Sequence, residues 1–133
     1  MGMDVFGIAD PSCYFRASVW SWRPIYLLIC EANARFRLGI TDEVLNRMSI
    51  NAGEGLKTQT ACDALADALT TILSETTNEF FTFNSDAKGI EGAIESALMA
   101  MGWRIEPCPY QVHRTHIEEF VRFLRTCGGF EIW

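Results

Sequence analysis

Apolar residues recur along much of this chain every three or four positions, the spacing that lines one face of a helix. Ile25, Leu28, Ile29, Ala32 and Phe36 keep that rhythm behind Pro24, a residue suited to a first helical turn. They predict a helix from about Arg23 to Arg37, ended by Gly39. Val44, Leu45 and Met48 predict a short helix capped by Thr41 or Asp42. Cys62, Leu65, Leu69, Ile72 and Leu73 predict a longer one over about Thr58 to Ser74. A further stripe, Ile90, Ala93, Ile94, Ala97, Leu98 and Met101, follows Ser85 or Asp86 as a cap and stops at Gly102. Gly89 and Gly92 weaken that helix by about 1 kcal/mol each relative to alanine. The last helix buries Ile117, Phe120, Val121 and Leu124. Thr115 and Glu118 have the T-x-x-E spacing of a capping box, and Gly128 stands where a left-handed C-cap belongs.

Other segments break the helical period. "EFFTF" (79–83) and the alternating "FEIW" (130–133) predict short strands. Asp10-Pro11-Ser12 reads as a turn, and "EPCPY" (106–110) as a rigid connector. The expected architecture is mainly α, a helical bundle-like single domain over residues 1–133 with one or two short strands, α+β at most.

Composition narrows the setting. With 133 residues, 49% of them hydrophobic and 21% charged, the chain has an ordinary globular make-up and can bury a core without staples. Its longest apolar run, Ile25 to Cys30, is far short of the roughly 18 residues of a membrane span. No basic start followed by an apolar block is present, so no secretory signal is expected. Five cysteines, Cys13, Cys30, Cys62, Cys108 and Cys127, form no CxxC and no regular framework, which points to reduced thiols and a cytoplasmic protein. The net charge of −6 is uneven: residues 41–99 hold ten acids against three bases. That balance disfavours direct nucleic-acid binding and is compatible with a basic protein partner, although solubility alone accounts for it.

Candidate chemistry is sparse. His113 and His116, with Cys108 nearby, have partial zinc-ligand spacing, but no fourth ligand follows, and no metal is expected. The loop "NAGEGLKT" carries Gly53, Gly55, Lys57 and Thr58 out of register for a phosphate-binding P-loop. Its sharper reading is an anion docked at the next helix's N-terminus, its simpler one a turn. No nucleophile motif appears, and acids such as Glu118-Glu119 or Asp63 and Asp67 fall on solvated faces. The chain is therefore expected to have no catalytic residues and no cofactor.

The stretch "YFRASVWSWRP" (14–24) is the strongest candidate surface. Tyrosine, tryptophan and arginine are the favoured anchors of interfaces, and arginine also clamps carboxylates and phosphates. Tyr14, Arg16, Trp20, Trp22 and Arg23 are the expected binding residues for a protein or a ligand. Trp20 and Trp22 are expected to serve the core first, leaving Arg16 and Arg23 as the binding groups.

Three segments together carry a resemblance: "YFRASVWSWRPIY", the "NAGEGL" loop before "ACDALADALTTIL", and "HIEEFVRFLRTCGGFEI". The chain resembles a family of small bacterial and bacteriophage proteins with Y-F-R-x-x-V-W-x-W-R-P near the start and G-G-F-E-I at the end. Trp133 departs from the small residue expected in the last position. The resemblance implies a cytosolic protein often encoded on phage or prophage, and it transfers no catalytic residues. By analogy, small acidic phage proteins act by occupancy, binding a bacterial host protein, commonly a defence component. The first expectation is thus a non-enzymatic inhibitor of a host protein. The alternatives are a binder of a small ligand, a nucleotide or nucleotide signal, and a homo-oligomeric assembly protein whose "GGFEIW" tail adds a strand to a neighbouring copy, as in a homodimer.

Overall fold

Alternation, not helical spacing, governs the first part of the chain. In β1 (Gly2–Gly7) Met3 and Val5 are buried while Phe6 faces out, and in β2 (Tyr14–Ser18) Phe15 and Ala17 are buried between exposed Tyr14, Arg16 and Ser18. The computed structural model describes residues 2–83 and 108–133. The expected turn joins the two strands: Asp10 Oδ1 accepts the Ser12 N–H at 3.0 Å, and the Cys13 N–H reaches the Asp10 carbonyl at 2.9 Å. β1 pairs antiparallel with β2, Val5 opposite Phe15, and on its other side with β5 (Phe130–Ile132), Val5 opposite Ile132. The strand order is β2-β1-β5.

The glycine loop continues this sheet. The Gly53 N–H donates to the Ile132 carbonyl at 2.8 Å, the Ile132 N–H to Glu54 at 3.0 Å, and the Phe130 N–H to Leu56 at 2.7 Å. Residues 53–56 thus run antiparallel along β5. The approach is close enough that a Cβ on Gly55 would lie 2.2 Å from the Phe130 carbonyl oxygen. With both edges occupied, β5 has no free edge for another chain to extend.

α1 (Val19–Phe36) starts four residues before the expected Arg23, because Ser18 caps it by accepting the Ser21 N–H at 3.1 Å. It ends on Arg37 in the left-handed region (φ 53°), not on Gly39. Asn33 then mimics a backbone unit, taking the Ile40 N–H at 2.9 Å and donating to the Ile40 carbonyl at 3.0 Å. α2 (Asp42–Met48) is capped by Thr41 and α3 (Gln59–Ser74) by Thr58.

A second, two-stranded antiparallel sheet joins β3 (Phe80–Phe83) to β4 (Cys108–His113), so "EPCPY" is partly strand and not only a connector. β4 runs directly into α4 (Arg114–Leu124). His113 therefore occupies the cap position, its Nδ1 accepting the Thr115 N–H at 3.1 Å, and the expected Thr115–Glu118 capping box does not form. α4 stops on Arg125 in right-handed conformation; Gly128 and Gly129, at φ +69° and +100°, instead form the turn into β5. Gln59 pins that turn, accepting the Gly128 N–H at 2.7 Å and donating to the Leu124 carbonyl at 2.8 Å. The helix expected between Ser85 and Gly102 lies outside the described residues.

The expected mainly α, helical bundle-like fold is corrected: five strands in two antiparallel sheets make the described residues α+β. The physical reason is that "GMDVFG" has weak strand propensity and is fixed by partners far along the chain. Inside, Trp22 is 1% exposed, donates from Nε1 to the Met48 carbonyl at 2.9 Å, and meets Phe120 edge-on at 5.8 Å. Phe15, Phe120, Phe123 and Phe130 complete the aromatic core between the sheet's inner face and α4. No helix among the described residues is long and apolar enough to cross a membrane. Cys13, Cys30, Cys62 and Cys127 are free thiols, with the Cys62 and Cys127 sulfurs 3.5 Å apart in the core.

Candidate functional site

Strand alternation divides the opening aromatic stretch between two sides of the molecule. Tyr14 and Arg16 stand on the outer face of the three-stranded sheet, next to Phe6 and Asp4 of β1. The Tyr14 hydroxyl donates to Asp4 Oδ1, and Arg16 Nη1 lies 3.4 Å from the same oxygen. That hydrogen bond to a carboxylate holds the Tyr14 phenol above its ordinary range. The Phe6 and Tyr14 rings are tilted at 5.1 Å. Trp133 joins the same sheet: its N–H donates to the Asp4 carbonyl at 2.6 Å, and its ring lies over Gly53. A Cβ on Gly53 would sit 2.6 Å from that ring, and φ +74° already requires glycine there.

This outer face exposes large side chains. Tyr14 is 45% exposed, Trp133 56% and the Arg16 side chain 61%. Trp20, in the first turn of α1, is exposed as well. On the inner side, His116 Nε2 lies 3.0 Å from the Arg16 carbonyl oxygen, and His116 packs on Phe15 at 4.9 Å. With His113 capping α4, both histidines have structural roles.

The other half of the stretch turns inward. Val19, Trp22, Arg23 and Tyr26, at i, i+3, i+4 and i+7 of α1, form one wall of a cavity of about 180 Å³. Trp22 and Arg23 are thus brought together, while Arg16 lies on the sheet face, outside this lining. Burial holds the Tyr26 phenol above its ordinary range, so it remains neutral.

The glycine segment holds its own anion. Glu54 Oε1 accepts the Gly55 N–H at 3.2 Å and lies 3.4 Å from Lys57 Nζ, and Oε2 lies 3.8 Å from Arg47 Nε. The Gly55 N–H, then the Lys57 and Arg47 charges, keep Glu54 below the usual carboxylate range. Gly53 and Gly55 serve close backbone approach, Thr58 caps α3, and Lys57 pairs with Glu54.

Sequence reading missed Phe6, Asp4 and Trp133 on the sheet face, and Met3, Val19 and Tyr26 at the cavity. The signal for the cavity wall was present, since Val19 and Tyr26 extend the Trp22–Arg23 pair at helical spacing. No protein-family model matches the chain, and neither a curated protein nor a solved structure matches it.

Proposed function

We propose that the protein acts without catalysis, by binding a bacterial host protein and inhibiting it through occupancy, with a defence component as the expected class of target. One observation carries this reading. The outer face of the β2-β1-β5 sheet displays Phe6, Tyr14, Arg16 and Trp133 together in solvent. Aromatic residues and arginine are enriched where proteins bind one another, and clustered aromatics bury large areas at low conformational cost. The Tyr14–Asp4–Arg16 contacts hold these side chains in place before any partner arrives, which lowers the entropy lost on docking. The resemblance to small phage proteins supports the same reading, and the acidic central residues favour a partner with a basic rim.

The test is capture from bacterial lysate followed by titration of the captured protein's own activity. Wild type is expected to retain one host protein stoichiometrically and to inhibit it at a one-to-one ratio. A Tyr14→Ser, Arg16→Ala double variant is expected to fold and lose both properties. Inhibition unchanged in that variant would refute the assignment of the face.

A further inference from the structure

The cavity beside α1 lies at the start of β1, the first turns of α1 and the loop after α2. Met3, Val19, Trp22 and Ile50 give it a mainly apolar wall. An apolar void of about 150 Å³ takes one benzene-sized molecule. A cavity of about 180 Å³ therefore admits one ring or one branched aliphatic body with a small polar group.

Its charge is equally specific. Arg23 lines the cavity half-buried and makes no ion pair or hydrogen bond among the described residues. Arg16, Arg35, Arg47 and Arg125 each have a carboxylate partner, and Arg114 is engaged by the Leu73, Thr76 and Asn78 carbonyls; Arg37 and Arg122 also make no ion pair among the described residues, but both are exposed, whereas Arg23 is half-buried. Asp42, the acid whose charge is felt near Tyr26, makes no ion pair with Arg23. A partly desolvated guanidinium beside an apolar hollow has strong preference for a planar anion that brings its own hydrophobic body. Phosphate, strongly hydrated and without such a body, gains nothing from the apolar wall.

We propose that this cavity binds a small monocarboxylate whose apolar part is about one ring in size. The carboxylate lies against Arg23, and the ring against Trp22, Met3, Val19 and Ile50. This site is separate from the sheet face and does not depend on the protein-binding reading.

The experiment is an NMR titration of the Trp22 indole N–H, assigned with Trp22→Phe, using phenylacetate, its neutral isostere phenylacetamide, and inorganic phosphate. Phenylacetate is expected to give a saturable shift. Phenylacetamide should bind at least tenfold more weakly, and phosphate should leave the resonance in place. Arg23→Gln should weaken phenylacetate at least tenfold with thermal stability retained. Ile50→Trp, which fills the mouth from an exposed position, should abolish the shift, while Tyr14→Ser with Arg16→Ala should not alter it. The proposal is overturned by the absence of a saturable shift, by equal binding of acid and amide, by equal response to phosphate, or by affinity unchanged in Arg23→Gln.

Discussion

Replacing Glu31 with glutamine should stabilise the protein at pH 8 and change little near pH 4. Glu31 lies on α1 and is 1% exposed, and its Oε2 has no hydrogen-bond partner among the described residues. Its other oxygen is 3.9 Å from Arg35, too far for a strong pair, and Arg35 is already held by two 2.7 Å hydrogen bonds to Glu75. Burial dominates: it raises Glu31 from the ordinary 4.5 to about 7, with Arg35 opposing and the Glu75 charge adding to the rise. An acid whose folded value lies above its unfolded one contributes stability below the unfolded value and loses it as pH rises through the folded one. The window here is pH 4.5 to about 7. At about 1.4 kcal/mol per pH unit, the ionised carboxylate costs roughly 3 kcal/mol once the pH exceeds that window. Glutamine has the shape of the protonated acid and carries no charge to desolvate. Urea unfolding of both proteins across pH 4 to 8 measures the effect. The gain for Glu31→Gln should appear through the window and level off near roughly 3 kcal/mol. A pH-independent difference, or destabilisation at pH 8, would instead show that attraction to Arg35 outweighs desolvation.

Three further perturbations test the fold's joints. Gly55→Ala forces a Cβ to 2.2 Å from the Phe130 carbonyl, so it should detach residues 53–56 from β5 and cost at least about 2 kcal/mol by urea unfolding, with faster amide exchange at Phe130 and Ile132. Gln59→Ala leaves the Gly128 N–H and the Leu124 carbonyl without their partner and should lower stability by about 1–3 kcal/mol in the same assay. Arg16→Ala removes an exposed contact and should change the unfolding free energy by no more than about 1 kcal/mol, which makes it a clean probe of binding.

The parts of the fold legible in the sequence are those with local causes. α3 and the Thr58 boundary followed from a side-chain cap and a regular apolar stripe, β3 from aromatic and β-favouring residues, and β5 from alternation. Elements set by distant partners were not legible. β1 is a strand because Tyr14–Ser18 and Phe130–Ile132 flank it, and the Met3-Asp4-Val5 alternation within "GMDVFG" is too short to announce that alone. The capping box at Thr115 lost to His113 because β4 delivers the chain to the helix two residues earlier than the motif requires. The candidate surface shows the same division. The residues of 14–24 were visible as a cluster, but their allocation to a sheet face and a cavity depended on a strand-to-helix transition at Ser18. Trp133 could be placed beside Asp4 only by the pairing of the two chain ends. Glu54, which occupies the glycine segment with its own carboxylate, is an unremarkable acid until the backbone folds it onto Gly55, Lys57 and Arg47.

The sheet face is the centre of the functional reading, and one comparison addresses it most directly. Wild type, Tyr14→Ser with Arg16→Ala, and Arg23→Gln are each immobilised and exposed to bacterial lysate, and the retained host protein is then titrated with each variant for loss of its activity. One stoichiometric partner is expected, inhibited at a one-to-one ratio by wild type and by Arg23→Gln, and neither retained nor inhibited by the sheet-face variant. A partner held and inhibited equally by all three proteins, or no stoichiometric partner for wild type, would contradict that expectation.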